Sequence, residues 1–272
     1  MESRLSCILR TPQTWVHWQP WQGGLEAHRL LQQRYPHSTS YLVQATKAQN
    51  TFIQAQLRPA WWSKARWRPQ QHYQTPAQPC QMLWANMALH GTPEPLTLLQ
   101  QWNQMLEVDG FVMFSCLGPD TLLELRRLYE SRGWPPPSQA FTDMHDWGDM
   151  LVQAGFAEPV MDMERIRLSY SSPQVLVNEL RQLGRNMHVQ RQPTLRGRAW
   201  RDGLYQSIAQ ELQDPADPGR LVLTFEVIYG HAFKPTPRIK PKPETTFSLE
   251  QMQDALRKSS RNSKKSSPSS AN

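Results

Sequence analysis

Near the start of the chain, a β-branched and aromatic run around Trp15 and Val16 enters a turn containing Gly23 and Gly24. Helical spacing follows over residues 25–34, with Leu30 and Leu31 among its apolar positions. Residues 41–43 read as a short strand, and residues 45–57 as a second helix with Ala48, Phe52 and Ala55 on one side. The apolar run at residues 82–85 predicts the next strand. Thr92 and Pro93 open a helix whose Leu96, Leu99 and Leu106 share a face. Asp109 and Gly110 predict a turn into the strand FVMFSCLG. Pro119 and Asp120 then start a helix carrying Leu122, Leu125 and Leu128, and SRGWPPPSQ breaks it. Strands alternating with helices predict a parallel sheet with right-handed crossovers and helices on both faces.

The last third changes pattern. Asp143 or a neighbour caps a helix running to Ala154, Gly155 ends it, and EPVMDMERIRLSY reads as a strand. Ser172 with Pro173 opens a helix that stops at Gly184, a second helix covers residues 199–212, and GRLVLTFEVIYGHAF is a long final strand. Two long strands separated by a helical insertion, residues 172–213, predict an antiparallel pair at one end of an α/β sheet. The insertion is expected over the open edge, where it can roof a substrate pocket.

Composition limits the setting. A mean hydropathy of −0.65 with no long apolar run predicts no membrane span, and the N-terminus shows no secretory signal. Cys7, Cys80 and Cys116 form neither a disulfide framework nor a metal motif, so a reducing cytoplasm is the expected home and no metal is expected. The net charge of +7 is unevenly spread: residues 1–78 hold nine Lys and Arg against two acids, residues 79–256 hold 16 against 21, and residues 257–272 hold five against none. One domain over residues 1–233 is expected, then a Pro-rich linker at 234–246, a short amphipathic helix at 247–257 and a disordered basic tail at 258–272. Five tail charges without aromatic residues give only weak binding to nucleic acid, which is not an expected partner. The stretch 58–74 interleaves cations with Trp61, Trp62, Trp67 and Tyr73, as base-stacking surfaces do. A core strand with flanking loops accounts for it better.

The segments LWANMALHG, GFVMFSCLGPDTLLELR, FTDMHDWGDMLVQAGFAEPVMDMERIRLSY, ELRQLGRNMH and LTFEVIYGHAF, taken in order, resemble the malonyl-acyl-carrier-protein O-methyltransferases of biotin synthesis. These are class I enzymes dependent on S-adenosylmethionine. The resemblance implies a Rossmann-like seven-stranded sheet with the antiparallel end inferred above, a methyl donor at the strand carboxyl ends, and an acyl carrier protein or its malonyl thioester as substrate.

Residues 1–78 form a divergent cofactor half. Members of the family carry an Asp-x-Gly-x-Gly-x-Gly loop, whose glycines let the backbone approach the donor. In register, His17 stands at the acid, Gln19 and Trp21 at two glycines, and Gly23 at the last. The indoles of the turn are expected to occupy space the ligand needs. Gln44 stands where an acid would hold the ribose hydroxyls, and Gln81 where a further acid is expected. The positional equivalents of the donor-binding residues are thus Gly23, Gln44 and Asn86. Arg126, Arg127, His145, Arg181 and His231 could hold a carboxylate by their place in the resembling region. Solvated arginines and structural histidines account for them equally well, and no catalytic residue is assigned.

Three functions remain open at this level: a relative that has lost donor binding and acts as a partner protein, an active divergent carboxyl O-methyltransferase, and a nucleic-acid-associated protein. One expectation concerns the end of the chain. Ser248 and Gln251 can form a capping box, and Leu249, Met252 and Leu256 form one stripe of a helix too short to be stable alone. Deleting residues 247–272 should leave the thermal midpoint of the domain nearly unchanged. A fall of more than about 4 °C in a calorimetric scan would show that this helix belongs to the fold.

Overall fold

Seven strands run in the order β3-β2-β1-β4-β5-β7-β6 across a single sheet, in a computed structural model that describes residues 1–58 and 71–237. Most of the stretch 58–74, the greater part of the linker, the amphipathic helix and the basic tail lie outside the described residues. The strands are β1 (Thr14–Trp18), β2 (Thr39–Val43), β3 (Gln71–His72), β4 (Cys80–Asn86), β5 (Leu106–Leu117), β6 (Ala157–Tyr170) and β7 (Leu221–Phe233). The first five are parallel. β7 inserts antiparallel between β5 and β6. The sheet is therefore the α/β, Rossmann-like arrangement with an antiparallel end that the sequence pattern predicts.

Alternation along the central strands sends side chains to two separate cores. Trp15, Met82, Trp84, Phe111 and Met113 pack on one face beneath α2 (Leu25–Arg34), which contributes Leu31, and beneath the 3-10 turn Glu2–Cys7, which contributes Leu5. Val16, Trp18, Leu83, Ala85, Val112 and Phe114 pack on the other, beneath α4 (Pro95–Met105) and α6 (Met144–Gln153). A third cluster joins α5 (Leu123–Ser131), α7 (Pro173–Gln182) and α8 (Arg198–Glu211) to Tyr170, Leu221, Leu223 and Phe225 of the antiparallel pair.

Local signals place most boundaries. Asp143 caps α6 by accepting from His145 N, and Gly155 takes φ +92 just past its end. Ser172 caps α7 ahead of Pro173. Thr46 and Gln49 form a reciprocal capping box on α3 (Lys47–Gln56).

Two boundaries differ from expectation. α4 starts at Pro95, the second proline of its entry, and Leu106 begins β5 instead of ending the helix. Asp109 and Gly110 do not turn the chain; they sit inside β5 as an irregularity opposite β4. Asp109 there takes φ +62, and Lys234 brackets the kink by exchanging backbone hydrogen bonds with Asp109 and Gly110, each 2.8 Å.

Close approach in the middle of β7 requires glycine. A Cβ on Gly230 would press into the Phe114 ring and lie 2.9 Å from Met161 Sδ. Gly230→Ala should therefore overpack the α4–α6 core at a cost of about 1–3 kcal/mol, read as a lower urea midpoint. An unchanged midpoint would show that the Phe114 ring can yield.

Candidate functional site

β6 is antiparallel to β7, and β7 to β5, so β6 runs with the parallel strands. Trp18, Val43, Asn86, Leu117 and Tyr170 therefore all end at the same, carboxyl edge of the sheet. In open α/β sheets this edge is where ligands bind.

The turn after β1 is built as follows. Gln19 adopts the left-handed region at φ 48, ψ 56 and donates its N–H to Val43 O at 2.8 Å. Pro20 then opens α1 (Pro20–Gly23), a single helical turn, and Gly24 at φ +82 passes the chain into α2. Within this turn the N–H groups of Gln22 and Gly23 both reach Gln19 O, and that of Gly24 reaches Pro20 O. Pro20 has no N–H to offer. The turn is also tied to its neighbours. Asn86 Nδ2 donates to Gly23 O, and Ser115 Oγ donates to Asn86 Oδ1. A Cβ on Gly23 would lie 2.6 Å from Asn86 O, so only glycine lets the turn settle this closely on β4.

The indoles do not fill this space as expected. Trp18 is buried in the core, edge-on to Trp102 of α4 with ring centroids 6.1 Å apart. Trp21 is half exposed and packs edge-on against Phe52 of α3 at 4.7 Å. It is the backbone of α1 that occupies the gap between β1 and β4.

Of the three donor-site positions, Gly23 and Asn86 are brought into contact and Gln44 stands apart at the end of β2. The side-chain Nε2 and Oε1 of Gln44 are both buried, and neither has a hydrogen-bond partner among the described residues. Gln81 lies at the other end of its strand, where its Oε1 accepts from Gln13 N at 2.6 Å. The proposed carboxylate holders do not converge. Arg127 and Arg181 are exposed on different helices, Arg126 donates to Pro119 O, His145 is exposed beside Asp143, and His231 lies within β7. Among the described residues, no group of three or more His, Cys, Asp or Glu is placed to hold a metal ion.

Sequence reasoning missed two networks. Ser115 is the one hydroxyl in the apolar run of β5, a signal that it serves a neighbour's amide. The other is a buried imidazole pair. His17 Nδ1 lies 3.3 Å from His28 Nδ1, and His28 Nε2 lies 3.3 Å from Gln71 Oε1. Gln71 Oε1 can only accept, so neutral His28 carries its proton on Nε2 and accepts at Nδ1 from His17 Nδ1–H. That leaves His17 Nε2 as a buried acceptor without a partner.

Comparison with known proteins follows this geometry. The chain is 34% identical over 220 residues to the malonyl-[acyl-carrier protein] O-methyltransferase of Gallionella capsiferriformans, covering 78% of this chain and 74% of that protein. The chain belongs to the malonyl-acyl-carrier-protein O-methyltransferase family. The like-named protein of Laribacter hongkongensis is 41% identical over 165 residues, 59% of this chain and 53% of that one. The match thus spans only about half the length of most of the curated relatives of this family. No family model matches the chain. Among solved structures, a Bacillus halodurans protein assigned as a methyltransferase superposes with a TM-score of 0.54 at 15% identity, covering 86% of this chain and 99% of that one. The YcgJ protein of Bacillus subtilis does so at 0.54 and 10% identity, covering 85% and 96%. These likenesses establish the fold.

Burial holds the His17 imidazole well below its ordinary value and lowers His28 to about 4. Both are neutral in the folded chain and protonate near 6.5 when unfolded. Their contribution to stability is therefore present above pH 6.5 and is lost as pH falls toward 4. Urea unfolding from neutral pH down to about 4 should show a loss on the order of 3 kcal/mol for a shift of His28's size. His28→Phe should flatten that slope, and a wild-type slope retained in the variant would assign it to other groups.

Proposed function

We propose that this chain is a non-catalytic member of its family: its S-adenosylmethionine site is closed, and it acts by binding a partner, an acyl carrier protein or its malonyl thioester, at the carboxyl edge of the sheet. The observation that carries this reading is the helical turn Pro20–Gly23. A donor's amino-acid portion needs backbone N–H groups turned toward it and a backbone it can approach closely. Here the N–H groups of Gln22, Gly23 and Gly24 are bound within the turn, and the turn is sealed onto β4 through Asn86.

Charge supports the same reading. The donor is a cationic sulfonium with an ammonium group, and His17, Gln44 and Gln81 place no carboxylate at the three positions where the family resemblance calls for acids. A buried cation without a countercharge is costly, and a buried neutral imidazole pair beside it adds none. Carboxylate methylation depends on donor alignment more than on a base, since the carboxylate is already the nucleophile. Without a bound donor, no other residue of the chain supplies the missing chemistry.

A second reading, an active divergent carboxyl O-methyltransferase of biotin synthesis, draws support from Gln44. Its two unpartnered, buried amide atoms could pair with ribose hydroxyls. Calorimetric titration with S-adenosylmethionine and its demethylated product decides between the two. The closed site predicts binding no tighter than about millimolar. A Kd of about 10 μM or below, near −7 kcal/mol, would sink it in favour of the second reading.

A further inference from the structure

We infer that the segment joining α7 to α8, residues 183–197, together with the helix ends it connects, is the docking face for the acidic, helical surface of a carrier protein. This deepens the proposed function and rests on its partner reading.

The insertion leaves the sheet after Tyr170 and returns at Leu221, and these two residues pair across β6 and β7. The whole insertion therefore rises from the carboxyl edge, the same edge at which β1, β2 and β4 end. Residues 180–201 contain six arginines, at 181, 185, 191, 196, 198 and 201, and no acid. Among the described residues only Arg201 has a carboxylate within ion-pair distance, Asp202 at 3.0 Å. Arg196 lies over the Trp200 ring at 3.9 Å, and Arg191 reaches only the His188 carbonyl. Elsewhere on the surface arginines are matched: Arg4 with Asp162, Arg34 with Glu2, Arg132 with Glu211, Arg165 with Asp120 and Arg167 with Asp214. Unmatched positive charge is concentrated where the insertion projects.

The same segment exposes aliphatic side chains. Leu183 is 64% exposed, Met187 61%, Val189 91% and Leu195 101%. Folding gains nothing from apolar groups left this open, and a cluster of them marks a binding surface. The segment is nevertheless held in place. Asn186 Nδ2 donates to Pro136 O at 2.7 Å, His188 N to Asn186 Oδ1 at 2.8 Å, and Arg191 N to His188 O at 3.1 Å. Arginines interspersed with open Leu, Met and Val complement a helix bearing carboxylates around an apolar stripe. Nucleic acid fits less well, since residues 183–197 offer no aromatic ring for a base to stack on. A lipid surface fits less well too, because the exposed aliphatics follow a turn-bonded connection and not one face of a helix.

The test is a titration of holo-acyl carrier protein into the full chain at low and high salt. It compares wild type, the combined variant Arg185→Glu, Arg191→Glu, Arg198→Glu, the variant Val189→Asp, Leu195→Asp, and the control Arg29→Glu on α2. All the altered side chains are on the surface, and a thermal scan checks that each variant stays folded. Binding should weaken about tenfold or more in the arginine variant and markedly in the aliphatic one. It should fall with salt and remain within about twofold of wild type in Arg29→Glu. Carrier binding that ignores the arginines overturns this face alone, and absence of carrier binding in the wild type overturns both the face and the partner reading. Arginine-dependent binding to duplex DNA or to anionic phosphatidylglycerol vesicles, without carrier binding, overturns it in favour of those surfaces. Tight uptake of S-adenosylmethionine by a chain whose carrier binding still needs the arginines overturns only the closed donor site and supports the face.

Discussion

The side-chain amide of Asn86 joins three strands at the one place where a class I methyltransferase sheet needs to be open. Its Nδ2 holds the Gly23 carbonyl of the β1 turn, while its Oδ1 takes the Ser115 hydroxyl of β5. Both groups are largely shielded from water, so leaving either unpaired would carry the full desolvation penalty of a buried polar atom. The constraint propagates backward along the chain. Gly23 has to be glycine to come this near, Pro20 sets φ for the first residue of α1, and Gln19 accepts a left-handed backbone to redirect the strand into it.

The same constraint explains why an imidazole is tolerated where an acid is expected. A carboxylate at position 17 would be fully buried on the α2 face, beside His28 and beneath a turn whose N–H groups are already bound. Nothing there would solvate it. A neutral histidine can instead donate through Nδ1 to His28 and stack on it, with ring centroids 5.4 Å apart and planes 19° from parallel. The closed turn and the uncharged pair are thus mutually consistent: each removes the reason for the alternative to the other.

Much of the fold is legible in the sequence because its signals are local or strongly periodic. Asp143 with Gly155, Ser172 with Pro173, and the long apolar runs of β5 and β7 each fix an element without help from distant residues. The parts that were misread depend on partners far away in sequence. Asp109 and Gly110 look like a turn, yet their kink is held inside β5 by Lys234, which the order of residues cannot reveal. Trp18 and Trp21 look like obstacles in a pocket, but strand alternation turns Trp18 into the core and Phe52 draws Trp21 aside. At the site, the missing glycines and acids were visible as residue types. What fills the space, a helical turn sealed by Asn86 and Ser115, became visible only when β1, β4 and β5 were set side by side.

The separation of the cores lets one end of the molecule change without the other. The β1 turn rests on the clusters under α2 and under α4 and α6, built from β1, β4 and β5. The insertion rests on its own cluster, in which Leu176, Leu204, Ile208 and Leu212 meet Leu125 and Leu128 of α5 and the ends of β6 and β7. No buried residue belongs to both groups. Substitutions that close the turn therefore disturb packing under β1 and β4 and leave α7 and α8 seated as before. In a protein whose donor half and partner-facing half shared a core, loss of the one would loosen the other. Here the sheet is the common support, and the arginine-bearing insertion keeps its place at the carboxyl edge whatever occupies the turn beside it.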